Sequence, residues 1–201
     1  MGMRLGLLSL ADANITRVVR SPSLAWRLIA PDGPNLNGVA QRAKGAARGK
    51  KTASPRRPKP KAQRALDLAA NEGTLCDLEK SWHGIHYLLT GSAWEGEPPF
   101  DFLVDGGRQV GRIDVEHGPV RAFRASAAQN VYQGLSGLSP YELRKRFNAR
   151  DMAAKEIYPD IWAGSALEED SLRYLMDNLD KLRTFLRQTV EAQLGFLVFL
   201  A

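Results

Sequence analysis

Residues that could bind a metal or transfer a proton are concentrated first in the stretch 75–91, LCDLEKSWHGIHYLLTG. Its apolar residues recur at helical spacing, and Glu79, His83 and His86 fall at i, i+4 and i+7 on one side of the predicted helix. Two imidazoles and a carboxylate are zinc ligands, but the spacing differs from the H-E-x-x-H pattern of zinc hydrolases. We therefore predict no metal site and interpret Glu79 and His83 as an exposed polar pair.

His86 is the more informative of the two histidines, because it flanks the apolar stripe formed by Trp82 and Ile85. We expect its side chain to be partly buried. Two interpretations follow from that position. His86 is either a core histidine that is hydrogen-bonded to a backbone carbonyl, or a general acid–base or ligand-binding group, since an imidazole titrates near neutral pH.

A second concentration of polar side chains lies at residues 116–121. Glu116, His117 and Arg121 stand on either side of a turn-prone Gly-Pro pair. A loop of this composition could bind an anion or a polar ligand, because a guanidinium offers a bidentate pair of donors. In the alternative, the Gly-Pro pair shapes a turn and Arg121 pairs with an acid of the scaffold.

Tyr158, which precedes a proline, is expected either to anchor a turn against the core or to line a pocket. A small-ligand site would require several of these polar residues to converge in space. The candidate ligand-binding residues are His86, Glu116, His117, Arg121 and Tyr158.

Covalent catalysis has little support in the sequence. Cys76 is the single cysteine, and no neighbouring base marks it as a nucleophile, so we interpret it as a small packed side chain. The nucleophile-elbow, phosphate-loop and dinucleotide-binding patterns do not occur in the sequence. No catalytic residue is assigned, no cofactor is predicted, and the sequence favours a protein that is not an enzyme.

Ten of the 28 basic residues lie between Gly38 and Arg64, a stretch that contains no acidic residue. The rest of the chain then has 18 basic against 22 acidic residues, so its net charge is negative. The stretch lacks aromatic residues and large aliphatic runs, which predicts a disordered insert. Such a segment could attach to nucleic acid without sequence preference. Its candidate contact residues are Lys50, Lys51, Arg56, Arg57, Lys59 and Lys61.

The composition of the 201 residues is that of one globular domain, with 44% hydrophobic and 25% charged residues. No apolar run reaches the roughly 18 residues that a membrane helix needs. The N-terminal apolar run ends at Leu10, which is too short for a signal peptide. A single cysteine suits a reducing compartment, so we predict a cytoplasmic protein with no membrane partner.

Strands are predicted at residues 3–10 and 196–200, and a long amphipathic helix over Glu168–Gln193. Shorter helices are expected at 12–20, 24–30, 126–134, 139–147 and 151–157, with Asp12, Ser126 and Ser139 as the N-terminal caps of three of them. The prediction is a single compact α+β domain over residues 1–201, with 38–64 as an insert. Several helices would pack on a mixed sheet that contains both terminal strands.

Several stretches together resemble the YfbM-like family of small bacterial proteins of unknown function. They are the opening MGM with its strand, DLEKSWHGIHYLLTG (77–91), HGPVRAF (117–123), LSPYELRKRFNARDMAAKEIYPDIW (138–162) and the final LGFLVFL. The resemblance implies a compact α+β fold in a cytoplasmic bacterial protein, and it supplies no catalytic residues. The basic stretch is a departure from the family pattern, which favours an insert.

Three functions remain as hypotheses. The first is a protein-binding module of a regulatory or toxin-neutralising type. The alternative is a small-ligand-binding protein or enzyme with a site around His86 and Arg121. A further alternative is nonspecific nucleic-acid attachment through residues 38–64. The partner, the substrate and the oligomeric state do not follow from the sequence.

Overall fold

The computed structural model of the chain describes residues 2–29, 66–114, 118–162 and 168–201. Five strands and seven helices occur within these ranges. In chain order they are β1 (Leu5–Leu10), α1 (Asp12–Arg20), α2 (Ser23–Ile29), β2 (Leu75–Asp77), α3 (Trp82–Thr90), β3 (Arg108–Asp114), β4 (Pro119–Phe123), α4 (Ala125–Ser136), α5 (Pro140–Arg146), α6 (Ala149–Ala154), α7 (Glu168–Glu191) and β5 (Gly195–Leu200).

The five strands form one sheet in the order β2-β1-β5-β4-β3. The C-terminal strand β5 is central, and Val198 lies between Leu7 of β1 and Arg121 of β4. The predicted pairing of the two terminal strands is therefore confirmed. The expected mixed sheet is wrong in one respect, because all four strand pairs are antiparallel.

Helices cover both faces of the sheet. Alternate side chains of each strand point to opposite faces, so the strands contribute to two separate cores. Leu7 and Val198 belong to a core with α3 to α7, whereas Leu8 and Leu197 belong to a second core with α1 and α2. A strand with an apolar layer on each side must be apolar throughout, which explains the run FLVFL in β5.

The stretch 75–91 is not one helix, and that prediction is wrong. Residues 75–77 pair with β1, where Cys76 lies opposite Leu7. The chain then turns at Glu79, whose φ is 51°, before α3 begins at Trp82. The open edge of β1 offers hydrogen bonds that outweigh the helical periodicity, as between Leu78 N and Leu5 O at 2.9 Å.

Two of the predicted helix caps are also wrong. The carboxylate of Asp12 accepts a hydrogen bond from Ala125 N at 3.0 Å, so it supports the start of α4 and not of α1. Ser126 lies inside α4, whose N-cap is Arg124. The capping box of Ser139 and Glu142 at the start of α5 is confirmed. The long helix is confirmed as α7.

A close contact of α3 with α7 and Trp162 in the larger core depends on Gly84. A Cβ atom at Gly84 would lie 2.7 Å from Leu175 Cδ2 and 2.8 Å from Trp162 Cη2. Real Cβ contacts are longer, so a side chain here would push α3 away from α7.

We predict that Gly84→Ala destabilises the protein by about 1–3 kcal/mol through overpacking. Gly137→Ala is the matched control, since Gly137 has a negative φ of −75° and its Cβ would meet nothing closer than 3.5 Å. The control should lie within about 1 kcal/mol of the wild type. Urea unfolding of both variants measures the difference, and an equal effect would refute the packing argument.

Candidate functional site

Helix α3 carries both candidate histidines, and it is buried on nearly all sides. Residues 82–89 are buried, and Gly91 ends the helix in the left-handed conformation, as predicted, with its N–H bonded to Tyr87 O at 2.7 Å. A helix that is apolar all round belongs in a core, so its polar side chains need internal partners.

His83 finds such partners in two distant segments. Its Nδ1 accepts a hydrogen bond from Tyr158 N at 3.0 Å, and its Nε2 lies 2.7 Å from Ala93 O. A carbonyl only accepts, so the neutral ring carries its proton on Nε2. Burial lowers the pKa of His83, and the Ala93 carbonyl opposes that shift in part. The exposed pair with Glu79 is therefore wrong, because the His83 side chain is 0% exposed.

His86 is equally buried but poorly satisfied. Its Nε2 lies 3.4 Å from Thr90 Oγ1, and its Nδ1 has no hydrogen-bond partner among the described residues. Burial lowers the pKa of His86 to about 4, and the charges of His83 and Arg121 act in the same direction. A backbone interaction with Glu95 raises the pKa of His86 in part. This interaction does not give Nδ1 a partner with hydrogen-bond geometry.

A series of aromatic rings connects this interior to the surface. The His83 ring stacks on Trp82 at 4.9 Å between centroids and contacts Trp94 at 4.4 Å. The ring of Tyr158 lies 6.2 Å from that of Trp82. Trp82 is 1% exposed, whereas Trp94 is 62% exposed. Trp94 is thus a surface tryptophan that rests on a buried, hydrogen-bonded imidazole.

Arg121 of β4 binds the backbone of the turn at residues 102–106. Its Nη1 donates to Phe102 O at 2.9 Å and also to Asp105 O, and its Nη2 donates to Leu103 O at 2.8 Å. Burial lowers the pKa of Arg121 to about 10, and the charge of Asp105 opposes the shift. These contacts favour the interpretation in which Arg121 holds the fold together. Its partners are backbone carbonyl oxygens and not the acidic side chain that was expected.

The described members of the predicted site make no direct contact with one another that the structure records. Burial and the charge of His83 lower the pKa of His86 more than the charge of Arg121 does, and the backbone N–H of Tyr158 binds His83, not His86. Glu116 and His117 lie outside the described residues. The convergence of all five residues therefore stays a prediction. The six basic residues proposed for nucleic-acid contact also lie outside the described part of the chain.

An open cleft of about 400 Å³ adjoins the C-terminal end of α3. It is lined by Leu89, Thr90, Ser92, Glu95, Gly96, Glu97 and Phe100. The sequence reasoning missed both this cleft and Trp94. One signal was present, since the run Trp-Glu-Gly-Glu places a tryptophan in a polar loop with no apolar periodicity, so nothing in the pattern predicts that it is buried.

The remaining candidates for chemistry have ordinary structural roles. Burial raises the pKa of the Cys76 thiol to about 12, so the thiolate is disfavoured at neutral pH. Within the described ranges, no group of three or more histidine, cysteine, aspartate or glutamate side chains could hold a metal ion. In the same part of the chain, no helix combines the length and the apolar character that crossing a bilayer requires.

The fold is that of an antiparallel α+β domain with helices on both faces of one five-stranded sheet. The chain belongs to the family described as Domain of unknown function (DUF1877), which matches residues 1–199. A solved structure with the same fold is that of YfbM from Escherichia coli, a protein of unknown function. The two share 17% sequence identity over 98% of this chain and 99% of that chain, with a TM-score of 0.64. No curated protein matches the sequence.

The two buried histidines should respond differently to replacement. We predict that His83→Leu lowers the free energy of unfolding by at least about 2 kcal/mol, because Tyr158 N–H and Ala93 C=O both lose their partner. His86→Leu should cost less than about 1 kcal/mol or stabilise the protein, since it removes a poorly satisfied group. Chemical denaturation of both variants tests this, and equal losses would contradict it.

Stability should also decrease as the pH falls from 7 to 5. In the unfolded chain His86 is protonated near its ordinary pKa of 6.5, whereas in the folded protein its pKa is about 4. The unfolded state therefore binds more protons in this window, and His86 contributes a loss of about 2 kcal/mol. The loss should be smaller in His86→Gln. Unfolding curves at several pH values measure it, and an unchanged pH dependence in the variant would exclude His86 as the cause.

Proposed function

We propose that the protein is a protein-binding module whose contact surface is centred on Trp94, with a regulatory or toxin-neutralising role. One observation carries this proposal. Trp94 is 62% exposed, yet its ring lies 4.4 Å from the His83 ring, and the carbonyl of the preceding residue is fixed by His83 Nε2.

A tryptophan held in this way is suited to binding. Tryptophan is enriched among the residues that contribute most to protein interfaces. A side chain that is already ordered in the free protein loses little conformational entropy when a partner covers it. The buried His83 therefore supports a binding residue without contacting the partner itself.

The other polar groups that could do chemistry are buried or hydrogen-bonded internally, which supports binding over catalysis. His83 uses both ring nitrogens internally, and the guanidinium of Arg121 is directed at backbone carbonyls. The thiol of Cys76 is buried and protonated. A cytoplasmic location belongs to the same proposal, because a single reduced cysteine suits that compartment.

Small-ligand binding around His86 remains the second candidate, and it too rests on a specific observation. Trp82 Nε1 and His86 Nδ1 are buried with no hydrogen-bond partner in the part of the chain that the structure describes, one helical turn apart on α3. Buried polar atoms of this kind are commonly satisfied by water or by a ligand. Nucleic-acid attachment through residues 38–64 is the third candidate and rests on the ten basic residues there.

Affinity capture from a lysate of the native host tests the proposal with Trp94→Ala and Tyr141→Ala compared side by side. Tyr141 is a matched control because it is an aromatic residue of similar exposure, 66%, on a different element, α5. We predict that Trp94→Ala weakens the capture of a specific protein at least about tenfold, as expected for a binding hot spot, and that Tyr141→Ala does not. Equal retention by both variants would refute the Trp94 surface.

Nuclease treatment and a chain that lacks residues 38–64 separate the other candidates in the same experiment. Material that disappears with nuclease, or with the deletion, would assign the interaction to the basic stretch. Capture of no protein by any form would favour the small-ligand site around His86 and Arg121.

A further inference from the structure

We infer that the partner of the Trp94 surface presents a positively charged segment and places a lysine or arginine side chain in the cleft beside Trp94. The inference rests on the proposed function and specifies the chemistry of the partner. The cleft is the one of about 400 Å³ at the end of α3, with Glu95 and Glu97 in its wall.

The loop that carries Trp94 is strongly acidic. Residues 92–107 contain four carboxylates and no lysine or arginine. None of the four forms an ion pair with a cation in the part of the chain that the structure describes. The carboxylates are Glu95, Glu97, Asp101 and Asp105.

Burial and the other carboxylates of this loop raise the pKa of one of their own number, Asp101. Burial raises the pKa of Asp101, and the charges of Asp105 and Glu97 raise it further. Arg121 is the cation that opposes this shift, and its donors already bind the carbonyls of residues 102–106. The exposed carboxylates of Glu95 and Glu97 are therefore free to bind a cation from outside.

The shape of the cleft suits a long basic side chain. The half-buried ring of Phe100 offers apolar surface to the methylene groups, and a ring face also attracts a cation. Thr90 also lines the cleft, and its Oγ1 is fixed because it donates to His86 O at 2.9 Å and accepts from Ser92 N at 3.2 Å. Gly96 lets the loop approach closely, since a Cβ there would lie 2.8 Å from Thr90 Cγ2.

A second observation near the cleft concerns His86, which lies beside the lining residue Thr90. It is 0% exposed, its Nε2 lies 3.4 Å from Thr90 Oγ1, and its Nδ1 has no partner among the described residues. The pKa of His86 is lowered to about 4 by burial, so the ring is neutral at pH 7. A neutral imidazole adds no positive charge that would compensate Glu95 and Glu97.

Trp94 directly precedes Glu95, which lines the cleft, and both residues are exposed. A segment that binds both needs an apolar residue on the indole next to a basic residue in the cleft. Two labelled peptides represent this chemistry, acetyl-Lys-Leu-Lys-Leu-Lys-amide and its counterpart with glutamate in place of lysine.

The test measures the fluorescence anisotropy of each peptide with the full-length protein at about 50 mM salt, where surface charges are weakly screened. We expect the lysine peptide to bind at least about tenfold more tightly than the glutamate peptide. Replacing Glu95 and Glu97 together by glutamine should weaken binding of the lysine peptide about tenfold. The control variant, Asp177→Asn with Asp180→Asn, removes two exposed carboxylates from α7 and should change binding less than about twofold.

Three results would overturn the inference. They are equal binding of the two peptides, no binding of the lysine peptide, and equal weakening by the cleft variant and the α7 variant, which would indicate long-range attraction only. Capture of the protein partner by the variants shows whether the cation inference alone fails or the proposed function fails with it. If Trp94→Ala loses that partner while the Glu95 and Glu97 variant retains it, the Trp94 surface stands and the cation inference fails.

Discussion

A polar group inside an apolar core must find a hydrogen-bond partner, and the way His83 meets this constraint determines the geometry of the site. Its two nitrogens bind the backbone at Ala93 and at Tyr158, which are separated by more than sixty residues of chain. Loss of either bond would leave a buried donor or acceptor unpaired, at a cost of about 1–3 kcal/mol. Both loop segments are therefore held to α3, and the ring that holds them also supports the exposed Trp94.

The same helix tolerates polar groups that are not satisfied. Trp82 Nε1 and His86 Nδ1 lack partners among the described residues, and each such group costs about 1–3 kcal/mol. Burial of a large apolar side chain contributes about 1.5–3 kcal/mol, and α3 buries Ile85, Leu88 and Leu89 in addition to the Trp82 ring. The apolar contribution is thus large enough to retain two unsatisfied atoms, which a domain under selection for stability alone could readily replace with apolar groups.

The sequence predicted the elements whose signal is local. The Ser139 and Glu142 capping box, the helix α7 and the terminal strands follow from neighbouring residues or from periodicity, and all are present. The stretch 75–77 was mistaken for helix because its strand conformation depends on pairing with β1, which is distant in sequence. The burial of His83 was missed for the same reason, since its partners lie in loops whose positions no local pattern reveals.

Charge and aromatic contact have separable effects at a surface of this kind. Exposed carboxylates such as Glu95 and Glu97 act mainly on the rate of association, because their attraction extends over about 10 Å at moderate salt. A tryptophan that becomes covered acts mainly on the rate of dissociation. The basic residues of 38–64 have the opposite sign to the 92–107 loop, so the chain offers contrasting electrostatic properties to different partners. A partner that is basic and also apolar at its contact point would satisfy both the acidic loop and Trp94, whereas a polyanion would satisfy neither.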